Sequence, residues 1–494
     1  MAEAYRIVVG LEVHVQLLTH TKLFCGCSTA FGLPPNSATC PVCLGMPGVL
    51  PVMNRQAFEL ALRAALALDC SINHYTKWDR KNYYYPDLPK NYQISQYDLP
   101  FSYEGQLEIN IAADPKKDYA PKRIGIIRAH LEEDAGKNMH DESGRGGDSK
   151  VDLNRTGTPL LEIVSKPDIS SPDEAKAYLE ELRLLLRELE ISDCEMQEGS
   201  LRCDANVNIH VPQPDGSVFA TCLVEVKNVN SISGVGRAIA YEAQRQYEEY
   251  LNPATRKRFG ESAKITAGWN DPKGRTEIQR RKEETADYRY FPEPDLVPVV
   301  IDESWLNRTK AATGELPAVA RVRLQNQYAL STYDASVLVR QGKSVVRYFE
   351  DTTLACQDAK SACNWIVNKL LSTKQDDASK PFVLAASDLA GLIAEQKRIG
   401  LTKVMAEKVL DRMLADNVSV KDALDKEGIK PVTTDDLLAF IRTAISNNAA
   451  AVADYKKGKV TAANRIKGDV MKAAKGAANA DTVQQLLIAE LEKV

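Results

Sequence analysis

The sequence predicts an α+β protein: a mixed strand-and-helix core over residues 1–297, a helical domain over 298–400 and a small helical tail over 401–494. Three observations carry this reading. Strand-period and helix-period runs are interspersed up to Pro298, helix formers dominate from Glu303 onward, and the last stretch is rich in Ala and Lys. A chain of 494 residues, at roughly 150 residues per domain, suggests about three domains.

The elements follow in order. Residues 5–17 read as a strand, with Ile7, Val9 and Leu11 alternating against their neighbours. Asn54 can cap a helix whose buried stripe is Ala57, Leu60, Ala61, Ala64 and Leu68. A second helix opens at Ser171, with Pro172 at its first position and Glu174 three residues after the cap. Its stripe is Ala175, Leu179, Leu182, Leu186 and Leu189. Residues 140–150 (HDESGRGGDSK) read as a solvated loop. Further on, Val404, Val409, Leu410, Met413 and Leu414 form one helical face. Between Tyr455 and Gly476 there are seven Lys or Arg residues against one acid, Asp469.

Bulk properties narrow the function. Hydrophobic residues make up 44% and charged residues 26%, as in an ordinary globular protein. The net charge of −4 excludes a globally basic nucleic-acid binder, so a polyanion must be held by local patches. No run of 18 apolar residues indicates a transmembrane helix, and the N-terminus carries no signal or transit pattern, which points to the cytoplasm. Ten cysteines in so long a chain are not a disulfide framework.

Four of them are clustered. Cys25-Gly26-Cys27 and Cys40-Pro41-Val42-Cys43 give C-x-C, twelve residues, then C-x-x-C. Two close pairs across a short loop can supply four thiolates to a tetrahedral ion, and soft thiolate with a closed ligand set suits structural Zn²⁺. The alternative is four unrelated buried thiols. Cys70, Cys194, Cys203, Cys222, Cys356 and Cys363 have no metal spacing and read as small buried hydrophobes.

Acids and one histidine form a second constellation. Glu12 and His14, two apart on a strand, project to one face. Residues 131–137 (LEEDAGK) pack three acids before a turn, which a solvated turn would also explain. Glu162 interrupts the apolar run 159–164 (PLLEIV), where an acid must pair, bind a metal or shift its pKa. Oxygen ligands suit Mg²⁺ and a phosphate-bearing substrate; His14 leaves Mn²⁺ or an outer-sphere role open.

Basic and aromatic residues are interleaved in 79–89 (DRKNYYYPDLP), 199–206 (GSLRCDAN) and 287–295 (DYRYFPEPD). Arg80, Lys81, Tyr83, Arg202 and Arg289 are the candidates there for contacting phosphates or stacking on bases. Each run alone fits a polar loop with half-buried tyrosines; three together point to a polar cavity for a large, phosphate-rich ligand. There is no P-loop, no G-x-G-x-x-G after a strand and no G-x-S-x-G elbow.

These runs, with Val9-Gly10-Leu11-Glu12-Val13-His14, Tyr92-Gln93-Ile94-Ser95-Gln96, Val151-Asp152-Leu153-Asn154-Arg155 and residues 157–163 (GTPLLEI), closely resemble the B subunit of the tRNA-dependent aspartyl/glutamyl amidotransferase. The resemblance spans essentially the whole chain and is densest in its first 300 or so residues. It implies a cradle-shaped catalytic core, a helical domain and a tail that grips tRNA. It implies a cytoplasmic three-subunit ligase with an amidase A subunit and a small C subunit. That enzyme converts misacylated Glu-tRNA(Gln) or Asp-tRNA(Asn) to the amide, using ATP to phosphorylate the side-chain carboxylate before ammonia from glutamine displaces phosphate.

The family's metal-binding positions match Glu12, His14, Glu133 and Glu162, and Cys25, Cys27, Cys40 and Cys43 fall where some members carry a zinc knuckle. The tail motif matches Lys472 and Lys475, whose basic surroundings suit tRNA backbone contacts; Ala480 stands where the family commonly has Pro. The chemistry agrees with the residues: a carboxylate approaching ATP needs a divalent ion to cancel the repulsion, and a closed site to keep the acyl phosphate from water. A non-catalytic tRNA-binding scaffold docking an amidase, or an unrelated zinc-stabilised ligase for a small acid, are the competing classes.

Overall fold

The computed structural model describes residues 4–112, 120–139, 149–261, 264–281, 287–375, 380–429, 434–474, 478 and 480–493. Most of the loop expected at 140–150, and Lys475, lie outside them. The fold is α+β, as the sequence predicts. Two compact units, Met1–Val319 and Ala320–Val494, divide the chain.

The first unit is built on a sheet with ten strands among the described residues. Its order runs Arg275–Arg281, Ile265–Asn270, Val224–Lys227, Leu201–Pro212, Arg6–Gln16, Pro159–Ser165, Pro121–Glu133, Ser102–Asn110 and Ser71–Ile72, with Val218–Ala220 also paired to Leu201–Pro212. All neighbours are antiparallel except Val224–Lys227 and Ile265–Asn270, whose parallel connection contains the helix Ile232–Leu251. The expected strand at 5–17 is Arg6–Gln16, at the centre of this sheet.

Side-chain alternation gives the sheet two different faces. Val9, Leu11, Val13 and Val15 are fully buried, level with Ala205, Cys203, Ile163 and Leu161 on the flanking strands. That apolar face is covered by the helices Arg55–Ala67, Pro172–Glu188 and Ile232–Leu251. Both predicted helical stripes are buried in full. Asn54 caps the first helix, its Oδ1 accepting from Ala57 N at 3.2 Å. Ser171 caps the second, accepting from Glu174 N at 3.1 Å, but the reciprocal half of the box is diverted: Glu174 accepts instead from Ser170 N (2.7 Å) and Lys122 Nζ (2.7 Å).

The first unit runs on past residue 297. Val299–Val300 pairs with Tyr75–Thr76, Ile301 N donates to His74 O at 2.8 Å, and Trp305 packs 5.4 Å from Phe58. In the second unit every regular element described is helical. Within Lys403–Asp416, Val409, Leu410 and Met413 are buried and Leu414 is half-buried, whereas Val404 is exposed at the helix's first turn, off the predicted stripe. Leu437, Ile441, Ile466, Val470, Val483 and Leu487 gather in a separate apolar cluster near the C-terminus. No helix among the described residues is long and apolar enough to cross a membrane.

Candidate active site and metal centres

The polar face of the sheet is the floor of a cavity of about 1040 Å³, which opens beside a second hollow of about 370 Å³. Strand register sets side chains on this floor in rows. His130, Glu162, His14 and Arg202 lie side by side across four strands, paired His130 to Glu162, Glu162 to His14 and His14 to Arg202. In the next row Arg128, Val164, Glu12 and Asp204 are paired in the same way. Glu132 belongs to the same face, because it is two residues beyond His130.

The result is a compact group. His14 Nε2 lies 3.6 Å from Glu162 Oε2 and 3.8 Å from Glu132 Oε1, while His130 Nε2 lies 3.4 Å from Glu162 and 3.9 Å from Glu132. One ligand atom each of His14, Glu132 and Glu162 falls within 4.8 Å of the others. Burial disfavours charge on His14, but its hydrogen bond to Glu162 and the charges of Glu162 and Glu132 prevail and raise it to about 9. Burial pulls His130 down to about 4. Glu132 is pushed up by burial and by the charge of Glu162. Glu162 is also buried, yet the imidazoles of His130 and His14 hold it well below the usual carboxylate range. Two buried carboxylates that cannot both ionise comfortably, with an imidazole between them, are a donor set that a divalent cation fits.

The four expected ligands do not all meet here. Glu12 stands one row from His14, in a trio with Asp204 and Glu225 whose carboxylate oxygens lie within 4.8 Å of one another. Asn206 Nδ2 donates to Glu12 at 2.7 Å, Lys227 bridges Asp204 and Glu225, and Lys264 lies 3.5 Å from Glu225. Glu133 is on the opposite face. The strand Pro121–Glu133 runs unbroken through the pair, so Glu133 must point away from Glu132. It is buried against the ammonium of Lys90 and accepts from Ile94 N at 2.9 Å. The residues missed from sequence are Glu132, His130 and Arg128. Their signal was the alternation Arg128-x-His130-x-Glu132 against apolar Ala129 and Leu131.

Alternation also sorts the basic and aromatic candidates. On the strand Asp79–Asn82, Lys81 lines the cavity, with its ammonium 5.1 Å from the Tyr288 ring and 5.8 Å from Tyr83. Burial works against its charge, but Glu132, Tyr290 and Glu162 outweigh this and raise its pKa. Arg80, expected from sequence to contact ligand, faces the other way and does not line this cavity. Its guanidinium grips the buried Glu293 with two 2.7 Å bonds and lies over Tyr92 at 4.3 Å. Tyr83 lines the wall and donates to Gln93 Oε1 at 3.1 Å; Tyr97 and Tyr290 stack there at 4.0 Å. Arg202 lines the smaller hollow but is tied to Asp134 at 2.7 Å. Arg289 is 84% exposed, 3.9 Å from Asp287, and does not line the cavity. Lys472 is exposed near the end of the helix Ala463–Ala473.

The cysteine pairs converge. One Sγ from each of Cys25, Cys27, Cys40 and Cys43 lies within 4.8 Å of the rest, which suggests a metal site. The second pair sits on a tight turn: Cys40 N donates to Cys43 Sγ at 3.2 Å and Leu44 N to Cys40 O at 3.1 Å. Gly45 closes it at φ +66°, where a Cβ would also fall 2.3 Å from the Lys90 side chain. The hydrogen bond from Cys25 draws Cys43 down to about 4, helped by Lys22. Lys22 is fully buried and donates to Ala38 O (2.7 Å) and toward Cys43 Sγ (3.7 Å). A buried ammonium with no carboxylate partner among the described residues fits an anionic thiolate cluster. The other six cysteines are free thiols, five of them buried and Cys356 half-buried.

Comparison with known proteins agrees with this architecture. Residues 7–307 match the family described as GatB/GatE catalytic domain, and residues 347–491 the family described as GatB domain. The chain is similar to the B subunit of the aspartyl/glutamyl-tRNA(Asn/Gln) amidotransferase of Rhodopirellula baltica, 48% identical over 99% of this chain and 97% of that protein. It is similar to the corresponding proteins of Moorella thermoacetica, 45% identical over 98% and 99%, and of Caldicellulosiruptor bescii, 43% identical over 99% and 100%. Its long catalytic-domain match, and relatives of this identity along nearly their whole length, place the chain in the GatB/GatE family.

Proposed function

We propose that this chain is the catalytic B subunit of an ATP-dependent tRNA amidotransferase, acting in the cytoplasm with a glutaminase A subunit and a small C subunit. Its substrate is the misplaced Glu or Asp side chain of Glu-tRNA(Gln) or Asp-tRNA(Asn). The observation that carries this reading is the group of half-buried His14 with buried Glu132 and Glu162 on the floor of a cavity that also holds Lys81 and an aromatic wall.

His14, Glu132 and Glu162 would hold Mg²⁺ or Mn²⁺, with Glu12 in the adjoining carboxylate group. Such an ion cancels the repulsion between the substrate carboxylate and the triphosphate. A carboxylate oxygen attacks the γ-phosphorus, the bond to the bridging oxygen breaks, and ADP leaves. Ammonia then attacks the acyl carbon, the carbon–oxygen bond to phosphate breaks, and the nitrogen loses a proton as the amide forms. Lys81 presents a fixed positive charge to these anionic groups, and the stacked Tyr97 and Tyr290 offer a flat face to a base.

Cys25, Cys27, Cys40 and Cys43 would hold a structural Zn²⁺, pinning a loop that has little apolar material of its own. In the second unit, Arg465 and Lys472 are exposed on a helix that buries Ile466 and Val470 on its other side, a surface suited to the tRNA backbone. The test is ATP hydrolysis and amide formation by the assembled enzyme with misacylated tRNA. ATP turnover that depends on misacylated tRNA and disappears in Glu162→Gln supports the reading; a folded Glu162→Gln enzyme that amidates normally overturns it.

A further inference from the structure

We propose that Arg128 is a phosphate receptor on the cavity floor, binding a phosphate of the nucleotide beside the His14–Glu132–Glu162 group; this rests on the function proposed above. Arg128, His130 and Glu132 project from one strand to one face, so Arg128 stands roughly 7 Å along the strand from His130. Its paired neighbours, Val164 and Tyr103, are not acids.

Three other cations of this floor are already engaged: Arg202 with Asp134, Lys227 with Asp204 and Glu225, Lys264 with Glu225. Arg128 is half-buried and lines the cavity, its Nε is buried without a hydrogen-bond partner, and no ion pair joins it to a described residue. A guanidinium cannot shed its charge by losing a proton, so a half-buried cation with no anionic partner is costly unless a ligand supplies one. Its planar fork matches two phosphate oxygens. Lys81, facing the same cavity with only aromatic rings as its close described partners, adds a second positive charge.

Two sources carry phosphate into such a cavity, the nucleotide and the 3′ end of the tRNA. The floor position, one row from the metal-fitting group, favours the nucleotide, whose polyphosphate must reach that group.

The experiment measures equilibrium binding of Mg·ATP, of adenosine and, separately, of misacylated tRNA to the assembled enzyme, for wild type, Arg128→Gln and Arg128→Lys, with melting curves as a folding control. Loss of a charge-assisted pair predicts Mg·ATP binding weaker by roughly 10- to 100-fold in Arg128→Gln. Adenosine affinity should be unchanged and Arg128→Lys should recover part of the loss. Unchanged Mg·ATP affinity in a folded Arg128→Gln enzyme overturns the proposal, and so does an effect confined to misacylated-tRNA affinity. Both leave the proposed function standing; failure of wild type to bind Mg·ATP either with or without misacylated tRNA overturns both.

Discussion

Glu132 and Glu133 are chain neighbours that point to opposite sides of one sheet: Glu132 joins the two histidines on the cavity floor, and Glu133 is buried against Lys90. Glutamine at each position should therefore fail differently. Glu132→Gln should abolish amide formation with little change in melting temperature. Glu133→Gln leaves the Lys90 ammonium buried without its partner, a cost of about 3–5 kcal/mol that a melting curve reads as a clear fall. Equal melting temperatures for the two variants would contradict the placement.

Arg80 and Lys81 give the same contrast on another strand. Arg80→Met strands the buried Glu293 carboxylate and should destabilise the protein by several kcal/mol, about 3–5 by analogy with other buried pairs. Lys81→Met removes a cation that faces the cavity and should slow amidation at least about tenfold, with a smaller change in melting temperature. Steady-state kinetics beside calorimetry separates the two.

The cysteine group predicts one zinc per chain by elemental analysis. Cys43→Ser should lower both zinc content and melting temperature, and strong chelators should destabilise the wild type. Cys194→Ser, at a buried thiol outside the four-cysteine group, should keep its zinc.

In the second unit Asp358 caps the helix Ala359–Asn368 and pairs with Lys397 at 2.6 Å. Burial opposes its charge, but the Lys397 and Ser361 hydrogen bonds bring its pKa to about 2 from 3.8. A depressed carboxylate stabilises the fold above its unfolded pKa and loses that contribution as pH falls through the folded one. The difference in stability between wild type and Asp358→Asn should be full above about pH 4 and fade toward pH 2, as denaturant titrations at each pH would report.

Much of this was legible in sequence because the decisive signals are local. The Asn54 and Ser171 caps, the two apolar stripes and the central strand follow from side-chain period and capping chemistry, and the spacing of the cysteine pairs brings them together across one short loop. What was not legible is pairing across the sheet. Glu12 and His14 are read correctly as sharing a face, but the strand register alone decides that His14 meets Glu162 and Glu12 meets Asp204. Residues 131–137 look like a turn, yet the strand Pro121–Glu133 continues through both glutamates and sends them to opposite faces. The Arg80 ion pair was hidden for the same reason: the sequence shows a basic residue near tyrosines, but only the fold brings Glu293 to it from the far end of the unit.

The most direct test is pulsed electron paramagnetic resonance of Mn²⁺ bound to the assembled enzyme. A single bound ion should show nitrogen coupling from an imidazole that vanishes in His14→Gln, and its affinity should collapse in Glu132→Gln and in Glu162→Gln. Tight Mn²⁺ binding that survives both glutamine substitutions would place the ion elsewhere and contradict the account.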